Sequence, residues 1–259
     1  MNLIVNDYDI YYEKIGTGKT NIIILPGWGD TRPTFHKLID DLKDYFTIYI
    51  LDYPGFGNSP FPKRDLRIFD YALLIKDFVT ILDIDNPIAI GHSFGGRIIS
   101  LLNTEYKVRF KKIILIDSAG IKPKKSITKI IKQYLYKGLK RLSYFLPKRL
   151  KIKYLEKLIN IFGSNDLKNL NHNIRKTFIN IVNQDLTKYI KKIKCDTLFI
   201  WGELDQDTPL KDAYKMQKWI NDSGLVIIKN CHHFPYLECP NYVNKIILEF
   251  IKVYKTKKD

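Results

Sequence analysis

Cysteine is scarce in this chain: there are three, Cys195, Cys231 and Cys239, an odd number with no C-x-x-C spacing. That pattern suggests reduced thiols, not a disulfide framework or a zinc site. Long apolar runs are also missing, since no stretch reaches the roughly 18–20 residues needed to span a bilayer. The opening MNLIVNDYDIYYEKIG has neither a basic n-region nor a long apolar h-region, so it does not read as a signal peptide. No G-x-x-x-x-G-K-[ST] loop, dinucleotide fingerprint or metal-ligand spacing occurs. These absences lead to the expectation of a cytoplasmic protein with reduced thiols, no cofactor and no metal.

Acidic residues are scarce in one segment only. Residues 119–192 carry 19 Lys and Arg against Glu156, Asp166 and Asp185, while the rest of the chain balances 24 basic with 24 acidic residues. The whole net charge of +16 therefore sits in that segment. From Ser118 to Leu155 there are 10 Lys and 2 Arg and no acid at all. A general preference for lysine explains basic residues everywhere but not an imbalance confined to one stretch, so 119–192 reads as a separate unit. Its charge suits either a solvated face or an anionic partner: acidic lipid headgroups, an acidic carrier protein bearing an acyl chain, or a negatively charged substrate. Nucleic acid is disfavoured, because no recognised binding module accompanies the lysines.

What is present is an alternation of short apolar runs and longer helical patterns, as in a parallel sheet covered by helices. NIIILPG (21–27), FTIYILD (46–52), PIAIGHS (87–93), KIILIDS (112–118), TLFIWGE (197–203) and GLVIIKN (224–230) read as buried strands. LIVNDYDIYYEKI alternates as an antiparallel edge hairpin does. Helices are expected near 33–44, 69–83, 95–105, 210–221 and 240–254, the last with Pro240 in its first turn. Between Asp117 and Thr197 no strand pattern appears. There, residues 126–146 place Ile127, Ile130, Ile131, Tyr134, Leu135, Leu139 and Leu142 on one helical face, with lysines and Arg141 on the other. At 259 residues, the chain is long enough for one large α/β domain with an insertion.

The chemistry centres on Gly91-His92-Ser93-Phe94-Gly95, which fits G-x-S-x-G between an apolar run and a helix. Small residues two positions either side let a serine occupy a strained strand-to-helix turn, with its Oγ at the carboxyl edge of the sheet and near a helix N-terminus. A serine hydroxyl needs a base, and NCHHFPYLECP supplies two histidines after the last strand. IWGELDQDTP, after the strand before it, supplies Asp205. The order Ser93, Asp205, His233 is that of the α/β-hydrolases.

The chain resembles the α/β-hydrolase superfamily over nearly its whole length outside 119–192, through LPGWGD, LDYPGFGNSP, GHSFGG, WGELDQDTP and HHFPYLECP in succession. The resemblance implies a mostly parallel sheet of about eight strands flanked by helices. The core would be 1–118 and 193–259, with 119–192 a basic helical lid inserted after the sixth strand. It implies Ser93 as nucleophile, His233 as general base and then acid, and Asp205 as the residue that orients the imidazole. His233 is preferred to His232 by the H-F-P motif, and Asp205 to Asp207 by the D-x-x-x-P spacing to Pro209. His232 reads as a loop or pocket residue. Some relatives use the Asp117 position for the acid, but here Asp117 reads as a strand-end cap. Backbone N–H groups of Phe94 and Trp28 would form the oxyanion hole, although Pro26-Gly27 stands where many relatives have His-Gly. Trp28, Phe94 and Phe234 would line an apolar acyl pocket or belong to the core. His36 and His172 read as surface residues, and Cys231 as a buried small thiol.

Within the superfamily, PGWGD…LDYPGFGNSP is similar to carboxylesterases that release acyl-carrier methyl esters and to C–C hydrolases of ring-cleavage products. A nucleophilic serine excludes the aspartate-dependent dehalogenase branch. The expectation is a serine hydrolase of a small or medium ester, with a C–C hydrolase as the alternative on the same triad. A non-catalytic binding protein docking through its basic segment is the alternative of another class.

Overall fold

The computed structural model describes residues 1–122, 127–162 and 172–251. The chain divides into two compact units, one of residues 1–121 and 184–259 and the other of residues 122–183.

The first unit is built on one eight-stranded sheet. Its strands are β1 (Asn2–Val5), β2 (Tyr8–Ile15), β3 (Thr20–Leu25), β4 (Phe46–Leu51), β5 (Ile88–His92), β6 (Lys112–Ile116), β7 (Thr197–Gly202) and β8 (Ser223–Ile228). Their spatial order is β1-β2-β4-β3-β5-β6-β7-β8. β1 and β2 form the expected hairpin, with Asn6 and Asp7 at positive φ (49° and 64°) in the tight turn. Asn and Asp are the side chains that best tolerate that conformation. β2 pairs antiparallel with β4, and every pairing from β4 to β8 is parallel. Covered on both faces, the central strands are continuous apolar runs, with Ile22, Ile24, Ile48, Ile50, Ile88, Ile90, Ile114, Ile116 and Ile200 all buried.

Helices α1 (His36–Leu42), α2 (Ile68–Ile81) and α3 (Phe94–Thr104) make the first crossovers. The helix expected from residue 33 begins instead as a 3₁₀ turn, Arg32–Phe35, because Pro33 suits a helix start but offers no N–H. In the second unit lie α4 (Ile127–Leu142), α5 (Lys148–Phe162) and α6 (His172–Val182). α7 (Thr187–Ile190), α8 (Leu210–Trp219), α9 (Pro235–Glu238) and α10 (Pro240–Ile251) return to the first. α2 packs with α3, and α1 with α10. The first residue of the expected stretch 126–146, and the side chains of Ile127, Ile130 and Ile131, lie outside the described residues.

The topology selects one place for chemistry. β3 sends the chain outward to β4 on one side, and β5 starts the run to β8 on the other, so the order reverses between β3 and β5. A cleft opens beyond the carboxyl ends of strands at such a point, and ligands of open α/β sheets bind there. Trp28 follows β3, and Ser93 follows β5.

Candidate active site

Ser93 stands between the last residue of β5 and the first of α3 with φ 46° and ψ −103°, a strained conformation for a residue with a side chain. Two backbone bonds hold it: its N–H donates to the Ile116 carbonyl at 3.0 Å, and its own carbonyl accepts from Ala119 N–H at 3.0 Å. The hydroxyl makes no capping bond to the helix it precedes, which leaves it for chemistry. Gly95 is needed two residues on, because a Cβ there would run into the Leu25 carbonyl.

Asp205 and His233 are brought together by an extension of the β7–β8 pairing. Glu203 N–H donates to the Ile228 carbonyl at 3.0 Å, and Leu204 N–H to the Cys231 carbonyl at 2.9 Å. Beyond them His233 Nδ1 lies 2.9 Å from Asp205 Oδ2. Asp205 also accepts from the N–H groups of Asp207 (2.8 Å) and Thr208 (3.1 Å) and from the Thr208 hydroxyl. Burial works against its ionisation, but the His233 hydrogen bond and charge, with the Thr208 donors, hold its pKa down at about 2. A carboxylate only accepts, so Nδ1 of His233 carries the proton and Nε2 is left as the basic nitrogen. Asp207, the sequence rival, contributes its backbone N–H to Asp205 and leaves its own side chain exposed.

Sequence reasoning assigned His92 no role, yet it ties the Ser93 turn to the loop that carries His233. It is fully buried, and its Nε2 lies 2.8 Å from the His233 carbonyl. Burial pushes its pKa down to about 3, so the ring is neutral, with the proton on the nitrogen that faces the carbonyl. Gly27 is the partner of this arrangement: a Cβ there would sit 2.6 Å from His92 Nδ1. The loop after β3 is fastened in turn by Asp30, whose carboxylate accepts from Tyr236 at 2.6 Å and from Thr31 N–H at 3.1 Å. The Tyr53 hydroxyl donates to the Pro26 carbonyl at 3.3 Å. These contacts hold the loop that contains Pro26 and Gly27. The only sequence signal for His92 is a polar ring ending an otherwise apolar strand.

The aromatic candidates fall into two groups. Trp28 and Phe94 pack edge to face with centroids 5.3 Å apart, and Phe94 is buried also against Tyr53 (5.1 Å) and Tyr71 (5.2 Å). Phe234, partly exposed, lies 4.9 Å from the His92 ring and 5.2 Å from that of His233. His232 points outward, and its N–H donates to the Glu238 carboxylate at 2.9 Å. Glu238 accepts from Phe234 N–H as well, at 3.3 Å, so it caps the loop that carries His233. Cys231 is buried but not alone, since Cys239 Sγ lies 2.9 Å from its own. His36 is on the surface, with Nδ1 3.0 Å from the Pro33 carbonyl; the side chain of His172 lies outside the described residues.

Asp117 lies at the end of β6 with φ 41°, fully buried. Its Oδ1 accepts from Gly202 N–H at 2.9 Å, and its Oδ2 has no partner. Burial, then the charge of Asp205, pushes its pKa up to about 9, so near neutral pH it is an uncharged acid beside a carboxylate. Asp117, Asp205 and His233 each present an atom within 4.8 Å of the others. The donors already filling Asp205, and the proton held by Asp117, fit this group poorly to a cation.

A serine in a strained strand-to-helix turn and a histidine held by a buried carboxylate, all beyond strand ends of one mostly parallel sheet, point to a class. A profile of the alpha/beta hydrolase fold matches residues 20–153, and the chain belongs to that family. It is 28% identical, over 94% of its length and 98% of the relative's, to the pimeloyl-[acyl-carrier protein] methyl ester esterase of Wigglesworthia glossinidia brevipalpis. It is 25% identical, over 95% of its length and 92% of the relative's, to a 2-hydroxy-6-oxononadienedioate/2-hydroxy-6-oxononatrienedioate hydrolase of Pseudomonas putida. Among solved structures, an esterase from Exiguobacterium antarcticum superposes with a TM-score of 0.76 at 23% identity, covering 97% of this chain and 99% of that one.

Proposed function

We propose that the protein is a serine hydrolase that cleaves a carboxylic ester of a small or medium acyl group through an acyl-enzyme. The observation that carries this reading is the 2.9 Å contact of His233 Nδ1 with a buried, ionised Asp205, which leaves Nε2 basic. His233 takes the Ser93 proton as Oγ bonds to the ester carbonyl carbon. The oxyanion is held by the backbone N–H groups of Phe94 and Trp28, one such donor being worth about 2.7–4 kcal/mol in the transition state. His233 then passes its proton to the alcohol oxygen as the C–O bond breaks, leaving Ser93 acylated. Water, deprotonated by His233, attacks the acyl carbon, and Ser93 leaves with the proton returned. Every proton is carried by His233, so the cycle needs no cofactor.

Similarity to the ring-cleavage-product hydrolase favours a second reading, in which the same groups break a C–C bond. The deciding experiment offers p-nitrophenyl and methyl esters of increasing acyl length, and a ring-cleavage dienoate, to the wild type and Ser93→Ala. Turnover of short and medium esters, lost in the variant, supports the ester reading. Turnover of the dienoate alone moves the assignment to the C–C hydrolases. Inertness of folded protein to all of them leaves a binding protein on a hydrolase fold.

A further inference from the structure

The second unit carries an exposed surface that is both apolar and basic. α4 and α5 pack against each other, with the Tyr154 hydroxyl of α5 donating to the Leu139 carbonyl of α4 at 3.0 Å and Leu158 buried, while Ser143 Oγ donates to the Lys140 carbonyl at 2.7 Å at the end of α4. The apolar residues around the connecting turn 143–147 are not covered. Phe145 is 88% exposed, Tyr144 68%, and Leu142 and Leu150 each 56%. Tyr134 and Leu135, on the face of α4 that its periodicity marks as apolar, are exposed as well. Basic side chains are interleaved with them: Lys137, Lys140 and Arg141 before the turn, and Arg149, Lys151 and Lys153 after it. Lys151 Nζ lies 4.8 Å from the centroid of the Tyr144 ring. No acidic residue occurs between Ser118 and Leu155 to balance this charge.

We propose that the turn between α4 and α5 docks on an anionic lipid bilayer, with Phe145, Tyr144 and Leu142 entering the headgroup–acyl boundary and the flanking Lys and Arg facing acidic headgroups. An aromatic side chain left almost wholly in water on a connecting turn is unfavourable unless a partner covers it. The charge around it decides which partner. A second copy would bring two strongly basic surfaces together and be repelled. An acidic protein would answer the lysines but has no inherent use for a protruding Phe–Tyr pair. The interface of an anionic bilayer takes both at once, apolar side chains below the headgroups and cations among them. Each Lys or Arg near such a surface raises binding about fivefold, and burying an aromatic ring adds at least about tenfold. The proposal rests on the charge and exposure of residues 134–153 and is independent of the chemistry assigned to Ser93.

The test is co-sedimentation of the full chain with vesicles of phosphatidylcholine alone and of phosphatidylcholine mixed equally with phosphatidylglycerol, at low and high salt. The expected result is binding to the mixed vesicles only, weakened by salt. Phe145→Ser should reduce binding about tenfold, and Arg141→Glu more than fivefold because it reverses a charge. Both residues are exposed, so circular dichroism and turnover of a soluble ester should stay at wild-type levels. Ser93→Ala should bind as the wild type does, which separates this proposal from the hydrolase assignment. Absence of binding to the mixed vesicles, or equal binding to both kinds, overturns it. So does full binding by Phe145→Ser, which would mean a purely electrostatic surface of the kind an acidic protein uses.

Discussion

Replacing Asp117 by Asn should stabilise the protein, and by an amount that grows with pH. The buried carboxyl has its pKa pushed up to about 9 by burial and by the charge of Asp205, whereas an unfolded aspartate titrates at about 3.9. A folded-state pKa above the unfolded one means that the native state holds the extra proton between those values. Stability due to Asp117 is then fully present below about pH 4 and falls by about 1.4 kcal/mol per pH unit until about pH 9. At pH 7 the loss approaches about 4 kcal/mol, an upper limit that proton sharing within the pair reduces. Asn keeps the oxygen that accepts Gly202 N–H and has no proton to lose. Urea unfolding of wild type and Asp117→Asn at about pH 5, 7 and 9 should give curves that separate progressively, the variant being more stable by about 2–4 kcal/mol at pH 7. Parallel stabilities across that range, or a variant less stable at the alkaline end, would refute the neutral-acid assignment. Asp205 has the opposite sign: its pKa is held at about 2, so its contribution is present above about pH 4 and is lost as pH falls towards 2.

Asp205→Asn should lower kcat about 10³–10⁴-fold with KM little changed, measured on a soluble ester, because the amide no longer fixes the His233 tautomer. His92→Ala removes the donor to the His233 carbonyl and should lower kcat about tenfold or more while KM holds; a purely structural role would instead lower the melting temperature and spare the kcat of the folded fraction. Gly95→Ala would push a methyl group into the Leu25 carbonyl, and thermal unfolding should show a loss of about 1–3 kcal/mol or more.

Much of the fold was legible because a parallel sheet covered on both faces writes its strands as uninterrupted apolar runs, and Ile22–Ile24, Ile88–Ile90 and Ile113–Ile116 are such runs. The strained turn at Ser93 was legible because steric exclusion acts within five residues, so Gly91 and Gly95 leave a local signature. Asp205 and His233 could be named because each lies directly after a strand, where chain order stands in for position in space. The supports of the site are another matter. His92 touches the carbonyl of a residue 141 positions away, and Tyr236 reaches Asp30 across 206. Nothing in the local sequence encodes such contacts. Asp117 read as a strand-end cap, and its bond to Gly202 agrees; its held proton depends on burial and then on the charge of Asp205, neither of which a motif supplies. The apolar stripe of 126–146 was visible as periodicity, but periodicity marks a face without saying what covers it. At Tyr134, Leu135 and Leu142 it is exposed.

The account stands on Ser93 being an activated nucleophile beside His233. Labelling with a fluorophosphonate probe, read by intact mass and by mapping the modified peptide, tests that most directly. Wild type should gain one adduct, on Ser93; Ser93→Ala should gain none, and His233→Ala should react orders of magnitude more slowly. Folded wild-type protein that takes no adduct, or takes it on another residue, would contradict the central claim.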